Sequence, residues 1–127
     1  MTTLNEPRAT AEFLSSEANG YRSRDEGTIT VPANTTTPAG RVMARITATG
    51  KYVPHDPAGT DNGTRTAVGV LFEAVTNDTG SAVDHPRTVI ARDAEVVGAH
   101  LTYHAAADAD AKAAANASLK LAGIVVR

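Results

Sequence analysis

Thr66-Ala67-Val68-Gly69-Val70-Leu71-Phe72-Glu73-Ala74-Val75 is the longest β-prone run in the chain. In an extended backbone Val68, Val70 and Phe72 fall on one side, and Leu71 and Val75 on the other. Gly69 interrupts the run without a side chain, which predicts a bulge or a close approach of another backbone. Upstream, Arg41 to Thr47 alternates, with Val42, Ala44 and Ile46 on one face and Met43 and Arg45 on the other. Ala48-Thr49-Gly50-Lys51 turns this strand back into Tyr52-Val53, so the two read as a hairpin. Before it, Thr28-Ile29-Thr30-Val31 is a short β-branched strand stopped by Pro32, and Asn34 to Gly40 reads as a turn.

A polar loop, Pro54 to Arg65, precedes the central run, and a second, Thr76 to Pro86, follows it. Further β signals lie at Arg87 to Arg92, Glu95 to Val97 and Ala99 to Tyr103. The one good helix candidate is alanine-rich, Asp108 to Ala122, with Asp108 or Asp110 as N-cap and Gly123 at the position after the helix. Asp108, Lys112, Asn116 and Lys120 recur every four residues and predict a solvated stripe, with mostly methyl groups opposite. Gly123 to Arg127 ends the chain as a strand. The expected fold is mainly β, with one short helix near the C-terminus.

Composition bounds what this fold can do. The 127 residues form one small domain, and 24 of its apolar positions are alanine. Only 24 residues are Leu, Ile, Val or Phe, so the core is thin, and association with copies of itself or a partner is expected to add stability. A net charge of −2, with no like-charge run, argues against direct nucleic-acid binding. Absence of cysteine excludes disulfides and thiolate zinc sites. No apolar stretch approaches membrane-spanning length and the N-terminus has no signal-peptide pattern, so a soluble protein without membrane attachment is expected.

Apart from Met1, residues 1–27 contain Leu4, Phe13, Leu14 and Tyr21 as their large apolar groups. That is too little for a core, and a helix over Ala9 to Ala18 would be too short to hold without packing. The segment is expected to be a mobile arm, and residues 28–127 the single β-rich domain. Such an arm can bind by adding an extended strand to an exposed sheet edge, with those four side chains as anchors.

Signals for catalysis or metal binding are weak. His100 and His104 would sit about 13 Å apart along a strand and could not close on one ion. His55, Asp56, Asp61 and His85 offer a conceivable oxygen and nitrogen donor set, but Asp61-Asn62-Gly63 lacks the spacing and terminal Glu of a calcium loop. Asp93 and Glu95 share a strand face and read as solvated carboxylates, while Ser15 and Ser16 have no triad partners. No catalytic residue, metal ligand or cofactor is assigned.

The ordered set Thr37-Pro38, Lys51-Tyr52-Val53 with its polar loop, Thr66 to Leu71, and Ala122 to Val126 resembles the head decoration protein family of lambda-type tailed bacteriophages. The opening, Thr3 to Pro7 through Ala11 to Gly20, is similar to longer-armed members. This resemblance implies a non-enzymatic β-clip protein, a small β-barrel or ribbon, that is made in the bacterial host cytoplasm and sits on the outer virion surface. It further implies homotrimers at three-fold and quasi-three-fold sites of the expanded head, stabilising it against internal DNA pressure. In the family the arm pairs with the major capsid protein, which makes Leu4, Pro7, Phe13, Leu14, Tyr21 and Thr28 the candidate capsid-binding residues here. The chain has no tryptophan and carries Tyr103-His104 near the place of the family's Trp-Pro pair, so no contact is carried over there. The competing expectation is a small β-clip binding module for a sugar or peptide, which would need a concave aromatic-lined site from only five aromatic residues.

Overall fold

The computed structural model describes residues 3–127; Met1 and Thr2 lie outside the described residues. The strands are β1 (Leu14–Glu17), β2 (Arg24–Val31), β3 (Thr35–Thr37), β4 (Val42–Arg45) and β5 (Tyr52–Pro54), followed by β6 (Gly69–Leu71), β7 (Val75–Asn77), β8 (Val83–Ile90), β9 (Ala94–Val96) and β10 (Ile124–Val126). The helix α1 (Ala109–Leu121) joins β9 to β10 through an irregular stretch. A closed barrel runs in the order β2-β5-β4-β6-β8. Against it stand a three-stranded sheet, β1-β9-β10, and a two-stranded one, β3-β7.

Alternation along the barrel strands feeds two separate cores. Ile29, Val31, Met43, Tyr52, Leu71 and Val89 come from all five strands and, with Val75, fill the barrel. Their strand neighbours Val42, Val70 and Ile90 point outward and meet Phe13, Val96, Leu119 and Ile124 in a second cluster. A period of two on a short strand thus buries both faces, which lets a chain poor in large apolar residues fill two cores. The long pairing is β2 with β8, in register from Arg24 opposite Ile90 to Val31 opposite Val83.

The hairpin expected at Arg41 to Val53 forms, with Ala44 opposite Val53 and Arg45 opposite Tyr52. The central run divides. It pairs as β6, breaks at Phe72 to Ala74, and resumes as β7 against β3 in the segment expected to be a plain turn. Val68 joins the barrel core and Val70 the outer one, so the expected shared face does not hold across Gly69. A Cβ on Gly69 would lie 2.6 Å from Val89 Cγ1 and 2.9 Å from the Ile90 carbonyl oxygen, which is the close backbone approach its position suggested.

The helix begins where expected: the Asp108 carboxylate accepts a hydrogen bond from the Ala111 amide at 2.8 Å. Gly123 follows at φ +90° and carries the chain into β10, parallel to β9. The stripe expected to be wet is only partly so, because Asn116 accepts a hydrogen bond from the Tyr103 hydroxyl at 2.6 Å. Ala115 and Leu119 make the buried side.

The boundary expected after Gly27 is displaced. Phe13 is 1% exposed in the outer core, β1 pairs with β9 through Leu14 and Val96, and β2 begins at Arg24. Burying one phenylalanine and adding a strand to a sheet supply what composition alone did not reveal.

Candidate functional site

Residues 3–10 are exposed throughout and form no strand or helix. Arg8 is their tether: its guanidinium donates to Glu12 and to the Ala99 carbonyl oxygen, both at 3.1 Å. A tight turn follows, in which Ala11 adopts φ +59° and donates its amide to the Phe72 carbonyl at 3.0 Å. The chain then locks into the body through Phe13 and β1. Among the described residues, the stretch without such an anchor is therefore residues 3–7.

The six candidate capsid-binding residues fall into three groups. Leu4, 88% exposed, and Pro7 lie on the free segment. Phe13 and Leu14 are docked, one inside the outer core and the other against it. Tyr21 and Thr28 belong to the body's surface. Tyr21 is 71% exposed on the 3₁₀ turn Asn19–Tyr21, and Thr28 lies in β2 opposite Pro86. They do not form one continuous arm.

Between β1 and β2 sits an ionic clasp. Arg24 donates to both carboxylate oxygens of Glu17, and its guanidinium lies between the Tyr21 and Phe72 rings, 4.9 Å and 4.4 Å from their centroids. The Arg24 hydrogen bonds hold the Glu17 carboxyl below its ordinary range. This clasp fixes Tyr21 on the rim, although burial alone would leave it loose.

The residues considered for metal or acid-base chemistry are dispersed. The buried His55 hydrogen-bonds the Arg65 carbonyl oxygen at 3.0 Å, and His85 lies in β8 opposite Ile29. His100 faces the Glu12 carbonyl oxygen, whereas His104 lies 3.7 Å from Asp56. Asp93 pairs with Arg22 and Glu95 with Arg127, while the Ser16 hydroxyl donates to Glu95. Among the described residues no group of three His, Asp or Glu side chains is placed to hold a metal ion. The aromatic residues do not converge either. Phe13 and Tyr52 are spent in separate cores, Tyr103 hydrogen-bonds Asn116, and Tyr21 meets Phe72 only across Arg24.

One arrangement was not visible in the sequence. Arg41, 8% exposed, donates to the carbonyl oxygens of Val42 and His55 at 3.0 and 2.9 Å, and among the described residues no carboxylate lies within ion-pair distance. Burial lowers its pKa, and Asp56 acts in the opposite direction. Arg41 lines a surface depression of about 440 Å³ whose remaining wall is largely apolar. Alternation places Arg41 beside Val42, but nothing in the local pattern shows that a barrel end would enclose it.

The body, the short helix and the free leading segment fall within one family match: the family model for Bacteriophage lambda head decoration protein D matches residues 3–124. The chain belongs to that family. No curated protein matches the sequence. As a head decoration protein its general role is on the phage capsid, and the match spans the barrel, the β3-β7 pair, β1, β9 and the helix, ending at Ile124, the first residue of β10. Among the described residues no helix is long and apolar enough to cross a membrane.

Proposed function

We propose that the protein binds as a homotrimer at the three-fold and quasi-three-fold sites of the expanded phage head and stabilises it against internal DNA pressure. The observation that carries this reading is the family match over residues 3–124. The partner is the major capsid protein, the site of action is the outer surface of the virion, and no catalysis is involved. Synthesis takes place in the host cytoplasm.

The mechanism rests on the free segment. Main-chain groups of residues 3–7 can pair with an exposed sheet edge of a capsid subunit, with Leu4 as side-chain anchor. Ordering each residue costs on the order of 1–2 kcal/mol, so a single segment binds weakly. Three segments on one trimer restore affinity by avidity, and preferential binding to the intact shell strengthens it by mass action.

Titration of expanded, undecorated heads with the purified protein tests this. Saturable binding is expected, together with a higher temperature of head rupture. Deleting the residues ahead of Arg8 should abolish most of the affinity while the body stays folded. Heads that bind nothing would overturn the decoration reading, and undiminished binding by the truncated protein would overturn the role of the segment.

A further inference from the structure

We propose that Asn62 is a site of spontaneous covalent modification, losing its side-chain amide to attack by the Gly63 main-chain nitrogen faster than any other asparagine in the folded chain. The reaction needs no partner and does not depend on capsid binding.

Six asparagines occur in the chain, and two of them, Asn19 and Asn62, precede glycine. A following residue without a side chain leaves its amide nitrogen open to the asparagine Cγ, so these two are the reactive pairs. At position 63 the fold itself demands glycine: φ is +106°, and a Cβ there would collide with the Arg45 carbonyl oxygen. Among the described residues the Gly63 amide donates no main-chain hydrogen bond, which leaves the nucleophile free. Asn62 is exposed, and Thr64 donates twice to its side-chain oxygen, from the amide at 3.3 Å and from the hydroxyl at 2.6 Å. A main-chain amide can only donate, which identifies the atom it meets as Oδ1. As the Gly63 nitrogen bonds to Cγ, negative charge gathers on that oxygen, and both donors hold it more tightly than they hold the neutral amide.

The atoms balance without any co-reactant but water. Solvent base takes the Gly63 amide proton, the N–Cγ bond forms, and the Cγ–Nδ2 bond breaks, the nitrogen leaving as ammonia with a proton from water. Water then opens the cyclic imide to an aspartyl or an isoaspartyl residue at position 62. Either product adds one negative charge to the net −2. In the isoaspartyl product the main-chain carbonyl that accepts the Thr47 amide at 2.9 Å becomes a carboxylate, which reroutes the chain beside the β4–β5 hairpin.

Asn77 shows that the two donors are not sufficient. Thr79 donates to its Oδ1 in the same way, at 2.9 and 2.6 Å. Yet Asn77 is 2% exposed, precedes Asp78, and has its Nδ2 held by three carbonyl oxygens, so the leaving nitrogen cannot depart. Asn19 has the glycine and the exposure, but among the described residues no donor reaches its side chain.

Peptide mass mapping tests this on the full chain held in warm, mildly alkaline buffer and digested at acid pH. The amide-to-acid mass gain is expected first in the peptide carrying Asn62, split between two chromatographic peaks, more slowly at Asn19 and not at Asn77. Thr64→Val should slow conversion at Asn62 about fivefold against Asn19, whereas Thr64→Ser, which keeps the hydroxyl, should not. In urea the lead of Asn62 over Asn19 should vanish. Folded wild-type protein in which Asn19 reacts as fast as Asn62, or in which Asn62 keeps its amide, overturns the proposal. Conversion of Thr64→Val at the wild-type rate overturns the part given to the hydroxyl. Head binding enters none of these readouts, so their failure leaves the functional reading standing.

Discussion

Phe13 separates two pictures of the N-terminus. As part of an arm it would be dispensable for folding, but it is buried against Val42, Val70 and Ile124 in the outer core. Phe13→Ala is therefore expected to cost about 3–5 kcal/mol of stability, measured by urea denaturation. A loss below about 1 kcal/mol would return Phe13 to the arm. His55 gives a pH dependence of definite sign. Burial pushes its imidazole below the ordinary histidine value of about 6.5, outweighing the hydrogen bond to Arg65. Below that pH the unfolded chain takes up a proton that the folded protein resists, so stability falls as pH drops. Melting temperature should decline between about pH 7 and pH 5, and a His55→Gln variant should show a flatter decline over that window. Neither burial was legible locally: Phe13 stands among polar residues, and His55 opens a Pro/Gly/Asp loop.

At the scale of single elements, the helix and the hairpin were the most legible because their signals are local. A cap residue, a run of strong helix formers and a terminal glycine lie within a few residues of one another. Asp108→Ala removes the hydrogen bond to the Ala111 amide and should destabilise the protein by about 1 kcal/mol, read from the shift in denaturation midpoint. An unchanged midpoint would show that packing of Leu119 and Ala115 holds the helix without its cap. The paired strands β3 and β7 were hidden for the opposite reason. Thr35 to Thr37 has turn-rich flanks and no apolar alternation, and it is a strand only because β7 lies opposite in register. The buried Asn77 reinforces that pairing by donating to the Val31, Pro32 and Ser81 carbonyl oxygens.

For the molecule as a whole, the proposed function divides stability and partner binding between body and leader. Among the described residues, 3–7 are all exposed, so deleting the residues ahead of Arg8 should change the unfolding free energy by no more than about 0.5 kcal/mol. A larger loss would mean that the leader packs on its own body in solution. From the amino-acid sequence follow the β-rich class, the hairpin, the capped helix, the terminal strand and the family resemblance, since each depends on periodicity, turn chemistry or ordered short motifs. Tertiary structure decided that Phe13 and β1 belong to the body, which strands close the barrel, and that Arg41 lines a hollow with, among the described residues, no carboxylate within ion-pair distance. Those outcomes depend on residues far apart in the chain, such as Phe13 against Ile124 or Arg41 against His55. No local pattern encodes them, because burial and charge pairing are properties of the assembled neighbourhood.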